Sequence, residues 1–259
     1  MIDQSEGQKR TAEAINRLLQ RKAAHLELGQ RMFKADGGNL FCMDLLATAV
    51  LNRSIRLVQG FADQIRTNFL CAAPLVRLQL DNLLRFNGAR FVDSLNDFVI
   101  EILRGTPIRK IKDRTGQFMN DAYLLKKAAA EYPELEAIYE RGCGYIHLCE
   151  LHMLHTAQVT GDMEIELSVA LEDDEIKDEH RVSAIDAMIR VTDLVLNVVA
   201  GWVATKSDPE LVRKPIKRAE QLLERGHVSL AKEWLRRVIA EHPVDSVVAE
   251  AEAKLSTIP

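Results

Sequence analysis

The sequence is poor in several residue types that would point to a particular class of protein. Its 259 residues include four cysteines without a C-x-x-C pair, only 5% aromatic residues, 13 glycines and seven prolines. The cysteine pattern argues against a disulfide framework and predicts reduced thiols in the cytoplasm. The low glycine and proline content excludes a collagen-like chain, and 47% hydrophobic residues exclude a disordered one.

Long apolar stretches are also scarce. The longest nearly apolar run, residues 194–204, covers about half a bilayer as a helix, so it predicts a buried core helix. The first six residues are polar, without the apolar segment of a secretory signal. We therefore expect a cytoplasmic protein with no membrane contact.

The net charge of −4 conceals an uneven distribution of charge along the chain. Residues 1–110 carry 16 basic and 11 acidic side chains, whereas residues 111–205 carry 8 and 18. With a pI near 6.0, the chain is not a protein that coats DNA, because that requires a concentrated basic face. A local basic groove in the N-terminal half remains open, as does mutual packing of the two oppositely charged segments.

Helical periodicity predicts an all-α fold, a multi-helix bundle that begins with two long antiparallel helices joined at Gly37-Gly38. One alternating segment, residues 163–169, predicts a strand that pairs with residues 156–159 as a small hairpin. Two glycines, Gly142 and Gly144, predict an interruption of the helix that contains them, or the close approach of another backbone or a ligand. The predicted helices cover residues 5–35, 40–69, 74–87, 92–103, 121–132, 134–156 and 181–205.

The C-terminal residues form a separable tail, so we predict two domains, residues 1–206 and 207–259. Small and apolar residues in the tail follow the spacing of one tetratricopeptide repeat, which the tail resembles over about 35 residues. A single repeat cannot bury its apolar face alone, so the tail must pack on the bundle, on a second subunit or on a protein partner. The residues that carry this pattern are Ala219, Leu222, Gly226, Ala231, Leu235, Val238 and Pro243.

Two groups of residues are candidates for chemistry. The predicted third helix carries Arg77, Asp81 and Arg85 at successive four-residue steps, either as surface ion pairs or as a partly buried network facing a cleft. The second group is the segment 141–155, which contains three of the seven histidines. Its cysteines and histidines lack the spacing of a metal site, and no phosphate-binding glycine loop or G-x-S-x-G motif is present, so we expect no metal and no cofactor.

An arginine and a histidine can cleave RNA without a metal, since histidine moves the proton of a ribose 2′-hydroxyl and arginine binds the charged phosphate. The spacing of Arg141 and His147 resembles the R-x4–6-H motif of the HEPN superfamily, and residues 77–85 and 144–148 resemble an uncharacterised bacterial HEPN-like group. The resemblance covers residues 40–205. It implies an endoribonuclease of toxin–antitoxin or phage-defence type, with RNA as substrate and a homodimer in which two motifs form one site.

By that resemblance, Arg141 binds phosphate and His147 is the general acid and base, with Arg77, Asp81, Arg85 and Tyr145 as surrounding residues. The alternative is a non-catalytic helical adaptor. The acidic middle segment and the tail with Trp234 favour the adaptor, as does Gly142, which stands where such nucleases usually have a polar residue.

Overall fold

A computed structural model describes residues 4–147, 152, 157–159, 164–167, 169, 173, 176–207, 214–241 and 245–258. This part of the chain is predominantly helical, which confirms the predicted all-α class. Two short strands, β1 (Ala157–Val159) and β2 (Ile165–Leu167), pair antiparallel with Gln158 opposite Glu166. The helices are α1 (Gln4–Leu19), α2 (Arg21–Lys34), α3 (Cys42–Gln64), α4 (Phe69–Gly88), α5 (Leu95–Leu103), α6 (Asp121–Ala129), α7 (Glu134–Ile146), α8 (Asp178–Ser207), α9 (Lys214–Glu224), α10 (Val228–Glu241) and α11 (Asp245–Thr257).

The chain forms two compact units, each assembled from separate stretches of sequence. Unit one comprises Met1–His25, Leu51–Leu84 and Leu125–Leu196, and unit two comprises Leu26–Val50, Arg85–Leu124 and Asn197–Pro259. The predicted domains, residues 1–206 and 207–259, were proposed as parts that fold separately. The two units describe only which residues pack together, so the domain boundary stays a prediction.

Unit one is built around a continuous apolar core. Apolar positions three or four residues apart on α1, α3, α4 and α8 turn toward each other, as the periodicity of an amphipathic helix requires. Removal of these side chains from water is the main stabilising contribution to the unit. The buried members include Leu18, Val58, Phe61, Ile65, Phe69, Val76, Ile185 and Met188.

Polar contacts fix the order of the helices in unit one. Lys22 Nζ lies 2.5 Å from Gln59 Oε1, and the His25 ring nitrogen Nε2 lies 2.7 Å from Ser54 Oγ, so the chain directions of α2 and α3 oppose each other there. Helix α8 runs in the same direction as α1 and α2, because two ion pairs follow each other in the same order along both. The first of these pairs joins Arg17 to Asp186. Arg21 pairs with Asp193, about one turn after Arg17 along the N-terminal helices and about two turns after Asp186 along α8.

Several helix boundaries differ from the predictions. The predicted second helix, residues 40–69, ends at Gln64, and the next helix starts at Phe69 and not at Pro74. The reason is Asn68, whose side-chain oxygen accepts a hydrogen bond from the Cys71 N–H at 3.0 Å and thus caps the new helix. Pro74 is the sixth residue of α4, so it lies inside the helix, where it cannot donate a hydrogen bond to the Leu70 carbonyl.

Two further boundaries were also wrong by a few residues. The predicted N-terminal helix is divided at Gln20, which forms a turn between α1 and α2. The fourth helix starts at Leu95 and not at Val92, because the hydroxyl of Ser94 accepts a hydrogen bond from the Asp97 N–H at 3.1 Å. Both strands of the predicted β-hairpin are present, as β1 and β2. The predicted turn at Thr160-Gly161-Asp162 lies outside the described residues.

Unit two contains a buried ion pair. The Lys206 ammonium donates hydrogen bonds to Asp44 Oδ2 at 2.7 Å and to the Met32 carbonyl at 3.1 Å, and it lies 4.9 Å from the centre of the Phe41 ring. The second oxygen of Asp44 accepts a hydrogen bond from Trp202 Nε1 at 2.7 Å. Every polar atom of the pair therefore has a partner, as a buried charge requires.

The tail forms a helical arrangement within unit two. Gly226, with φ of +75°, permits the turn between α9 and α10, and the Trp234 indole donates a hydrogen bond to the Pro215 carbonyl at 2.8 Å. Lys254 on α11 pairs with Glu220 on α9 at 2.8 Å. Whether this arrangement is a tetratricopeptide repeat stays a prediction, and Pro243 lies outside the described residues.

One described helix, α8, is long and apolar enough to cross a membrane, with a mean hydropathy of 1.5 over its most apolar window. The helix of a protein core passes the same test, and 44% of that window is buried inside the protein. Within unit one, α8 buries Ile185, Met188, Val191, Leu194 and Val195 almost completely.

Candidate functional site

Helix α7 carries the predicted catalytic residues in unit one. Glu134 and Glu136 lie in its first turn, where negative charge stabilises the helix dipole, and Leu135 is fully buried. The helix ends at Ile146, and His147 follows in an extended conformation with its N–H donating to the Cys143 carbonyl at 3.1 Å. The predicted continuation through residue 156 falls largely outside the described residues.

The helix is not interrupted at Gly142 and Gly144, so the first of the two predicted alternatives is wrong. The structure has the other arrangement that the glycines allow, the close approach of a second helix. A Cβ atom built on Gly142 would lie 2.9 Å from the Cβ atom of Arg77 on α4. Only glycine at this position lets α4 and α7 come so near, and this contact offsets its low helix propensity.

A cavity of about 420 Å³ lies between α4, α7 and α8. Its volume is within the range of small-ligand sites, roughly 300–1,000 Å³. Small side chains at facing positions leave the space open, and they include Ala73, Ala137, Ala184 and Ala187. Val76 and Ile138 complete the apolar part of the wall.

The polar part of the cavity is formed by α7 and the first turns of α8. Arg141, Tyr145, His180 and Ser183 all line it, and the Arg141 guanidinium donates a hydrogen bond to the Ser183 hydroxyl at 3.0 Å. Arg141, His180 and Ser183 are exposed, so the cavity is open to solvent at this end. The site thus combines an arginine and a histidine with an apolar wall.

Glu134 is the carboxylate of the cavity. The Arg190 side chain donates to Glu134 Oε1 from Nε at 2.8 Å. The Glu134 carboxylate accepts a hydrogen bond from the Glu134 backbone N–H and a second one from Arg190. Both hydrogen bonds lower the pKa of Glu134 below its ordinary value. Glu134 is therefore ionised at neutral pH and engaged with a cation, which makes it unsuited to abstract a proton.

The two predicted catalytic residues occupy different positions relative to this cavity. Arg141 lines it, but His147 does not and lies exposed at the end of α7. His147 follows the last residue of α7, so it lies more than one helical turn beyond Arg141. Within one chain, the structure thus brings His180, and not His147, to the cavity beside Arg141.

His180 was not predicted as a site residue from the sequence. A signal for it is present, because His180, Ser183, Ala184 and Ala187 follow the i, i+3, i+4, i+7 spacing of a single helix face. That face begins at the first turn of α8. The helix was predicted to start at Arg181, but it starts at Asp178. The three-residue error removed the histidine from the helix.

The four surrounding residues make contacts of different kinds. Tyr145 lines the cavity, and its ring contacts the Phe69 ring edge-on at 5.4 Å between centroids. The buried Arg77 guanidinium lies 4.2 Å from the centre of the Tyr139 ring. Asp81 pairs with Arg53 at 3.1 Å, within unit one.

Arg85 lies at the C-terminal end of α4 and belongs to unit two. It pairs with the Asp121 carboxylate and also donates to the Met119 carbonyl at 3.3 Å. Two members of the charged row on α4 thus take part in ion pairs, Asp81 with Arg53 and Arg85 with Asp121.

Among the described residues, no three histidine, cysteine or acidic side chains converge on a point where they could hold a metal ion. Cys149, Glu150 and His155 lie outside that part of the chain.

Compared with protein-family models, with curated proteins and with solved structures, the chain matches none of them. The fold thus defines a mainly helical protein with an open, partly polar cavity. The resemblance to the HEPN superfamily remains a prediction.

Proposed function

We propose that the protein is a metal-independent endoribonuclease and that the cavity between α4, α7 and α8 binds the phosphodiester to be cleaved. The observation that carries the proposal is the position of Arg141 and His180 on one solvent-open cavity, with a further exposed histidine, His147, at the end of the same helix as Arg141. Arginine is well suited to a phosphate because its guanidinium offers several N–H donors in a fixed plane.

In the proposed reaction a histidine removes the proton of a ribose 2′-hydroxyl, and the 2′-oxygen attacks the adjacent phosphorus. The bond from phosphorus to the 5′-oxygen breaks, a second histidine protonates that oxygen, and a 2′,3′-cyclic phosphate remains. Arg141 stabilises the negative charge that grows on the phosphoryl oxygens. His180 and His147 are the residues proposed for the two proton transfers.

His147 lies beyond the end of α7 and does not line the cavity beside Arg141, which favours a composite site of the kind that the resemblance implies. In a homodimer, His147 of one copy would complete the cavity of the other copy. The proposal therefore includes a homodimer, which light scattering tests directly. A monomer at tens of micromolar contradicts the composite version and leaves His180 as the histidine beside the phosphate.

The test is cleavage of mixed structured and single-stranded RNA by the purified protein in excess EDTA. We expect the wild type to cleave, and we expect Arg141→Ala and His180→Ala each to lower the rate by roughly 100-fold or more. His147→Ala should have a similar effect if the site is composite. His227→Ala is the matched control, because His227 is an exposed histidine on the tail.

Loss of activity in EDTA would overturn the metal-independent mechanism. A wild type that cleaves no RNA, with all variants folded alike, would overturn the ribonuclease proposal. Equal activity of Arg141→Ala and wild type would place the reaction elsewhere.

A helical adaptor is the second candidate, and one observation in unit two favours it. Four large apolar side chains of its first stretch are exposed, namely Leu26, Phe33, Leu40 and Leu45, by 48–65%. Leu26 and Phe33 lie seven residues apart on α2 and so share one face of that helix, and exposed apolar side chains on one face are typical of protein-binding surfaces. Trp234 does not add to them, because it is partly buried and hydrogen-bonded within the tail.

A further inference from the structure

A second feature of the molecule, in unit two and distinct from the cavity, is a strongly basic loop at residues 104–118. It contains five basic side chains and a single acidic one, Asp113, in a protein whose net charge is −4. All five basic residues are exposed, and Asp113 is only 8% exposed. The basic side chains are Arg104, Arg109, Lys110, Lys112 and Arg114.

The backbone of the basic loop is a narrow hairpin. The Asp113 N–H donates to the Gln117 carbonyl at 2.8 Å, and the Met119 N–H donates to the Ile111 carbonyl at 2.9 Å. Lys112 and Phe118 face each other across this pair of short segments. Because side chains alternate along extended backbone, Asp113 and Met119 point inward while Lys112 and Phe118 point outward.

Side-chain contacts hold the hairpin in place from inside. The Asp113 carboxylate accepts hydrogen bonds from the Thr115 and Gln117 N–H groups, both at 2.9 Å, and from the Tyr123 hydroxyl. The Arg114 guanidinium donates to the carbonyls of Arg90 and Val92, at 2.7 and 2.9 Å. The one negative charge of the loop is thus engaged, and the outward side chains are presented on an ordered backbone.

The outward face combines cations with an aromatic ring. Phe118 is 50% exposed, and Lys112 Nζ lies 5.1 Å from the centre of its ring. Within the described residues, Arg109, Lys110 and Lys112 form no ion pair with a carboxylate, in contrast to Arg104, which pairs with Glu101. Three cations are therefore available for an anionic partner beside a ring on which a planar group can stack.

We propose that the basic loop is a docking surface for single-stranded RNA, with phosphates on Arg109, Lys110 and Lys112 and one unstacked base on Phe118. Cations alone fit any polyanion, but an exposed ring among them favours a strand whose bases are free to stack. This surface deepens the proposed function, since it would bind the RNA that the cavity cleaves, but binding to it does not require that cleavage occurs.

The test is the fluorescence anisotropy of a labelled oligouridine of twelve nucleotides, titrated with the full-length protein at several salt concentrations in EDTA. The Arg141→Ala variant is measured beside the wild type so that cleavage does not disturb the binding curve. Arg109→Ala/Lys110→Ala/Lys112→Ala should weaken binding at least tenfold at low salt. Three lost phosphate contacts should also reduce the slope of log affinity against log salt by about 2.

Phe118→Ala should weaken binding about tenfold and leave the salt slope unchanged, because stacking releases no counterions. The matched control is Lys9→Ala/Arg10→Ala/Arg31→Ala, which removes three exposed cations from α1 and α2 and should bind like the wild type. Circular dichroism and the unfolding midpoint verify that all variants are folded.

Three results of the binding experiment would overturn the docking proposal. The first is an equal loss of RNA affinity in the triple variant of the loop and in the triple control variant. The second is an unchanged affinity of Phe118→Ala, and the third is an equal affinity of the wild type for an RNA duplex of the same length. Binding at the loop without any cleavage would refute the proposed nuclease while supporting the docking surface. RNA cleavage with an unchanged KM in the triple variant of the loop would support the proposed nuclease and refute the docking surface.

Discussion

The imidazole of His25 accepts a hydrogen bond from the hydroxyl of Ser54 inside unit one, with 2.7 Å between Nε2 and Oγ. The donor and acceptor can be assigned because the other ring nitrogen, Nδ1, lies 2.8 Å from the Arg21 carbonyl, which can only accept. In the neutral ring, Nδ1 therefore carries the proton and Nε2 is the acceptor. His25 is 3% exposed, and this burial favours the neutral form because it lowers the pKa of the imidazole.

The contact is the end of a directed chain of hydrogen bonds. Arg53 donates to the Asn82 side-chain oxygen at 2.6 Å, and Asn82 donates to Gln79 Oε1 at 3.0 Å. Gln79 donates to Ser54 Oγ at 2.6 Å, which leaves the Ser54 proton for His25. Protonation of His25 at Nε2 would turn its acceptor into a donor and place a second charge in this buried chain.

The protein should lose stability as the pH falls below about 6.5, and His25 should account for part of the loss. Burial lowers the pKa of His25 from 6.5, and this effect exceeds the opposite one of its hydrogen bond to the Arg21 carbonyl. Below pH 6.5 the unfolded chain therefore binds more protons at this residue than the folded one, so stability is greatest above pH 6.5 and declines below it.

Chemical denaturation at pH 7.5 and pH 5 measures this dependence. His25→Gln should cost about 1–3 kcal/mol at pH 7.5, because it disturbs a buried hydrogen-bonded chain, but it should show a smaller decline toward pH 5 than the wild type. His227→Gln changes an exposed histidine and should retain the wild-type decline. An equal decline in His25→Gln would show that His25 does not contribute.

Gly142→Ala should destabilise the protein although alanine favours helices. The added Cβ would meet the Arg77 Cβ at 2.9 Å, and relief of such overpacking costs about 1–3 kcal/mol, more than the roughly 1 kcal/mol that the higher helix propensity provides. Gly201→Ala is the control, since α8 has open space at that position and should gain about 0.5–1 kcal/mol. A stabilised Gly142→Ala would contradict the close approach of α4 and α7.

Lys206→Met should cost about 3–5 kcal/mol in urea denaturation, because it leaves the Asp44 carboxylate buried without its cation. The comparison is Arg17→Met, which removes one member of an exposed pair with Asp186 and should cost about 1 kcal/mol or less. The double variant Asp44→Asn/Lys206→Met should recover part of the loss. If Lys206→Met were as mild as Arg17→Met, the pair would not be buried in solution.

The sequence predicted the helices better than their ends. Periodic apolar residues identified α3, α4 and α8, because each buries one face in a core. The start of α4 was misplaced because Pro74 is the stronger conventional signal, whereas the effective cap is the Asn68 side chain. Such competition between two local signals is decided by tertiary packing around Phe69, which is fully buried.

The candidate site was predictable in part. Arg141 and Tyr145 were singled out from the sequence, and both line the cavity. The cavity itself depends on the distance between α4, α7 and α8, which no spacing within one helix determines. The same limit applies to Gly142, since the sequence allowed a break or a close contact and only the position of Arg77 decides between them.

Filling the cavity should abolish RNA cleavage without unfolding the protein. Ala184→Leu places a larger apolar side chain in the open space between α7 and α8, and filling a cavity commonly raises stability by about 0.5–2 kcal/mol. The added side chain would occupy the volume beside Arg141 that the proposed mechanism assigns to the phosphodiester. Ala253→Leu makes the same chemical change at an exposed position of α11 and should cleave like the wild type. The measurement pairs the cleavage rate in EDTA with the thermal unfolding midpoint. A folded Ala184→Leu protein with full activity would exclude this cavity as the site of reaction.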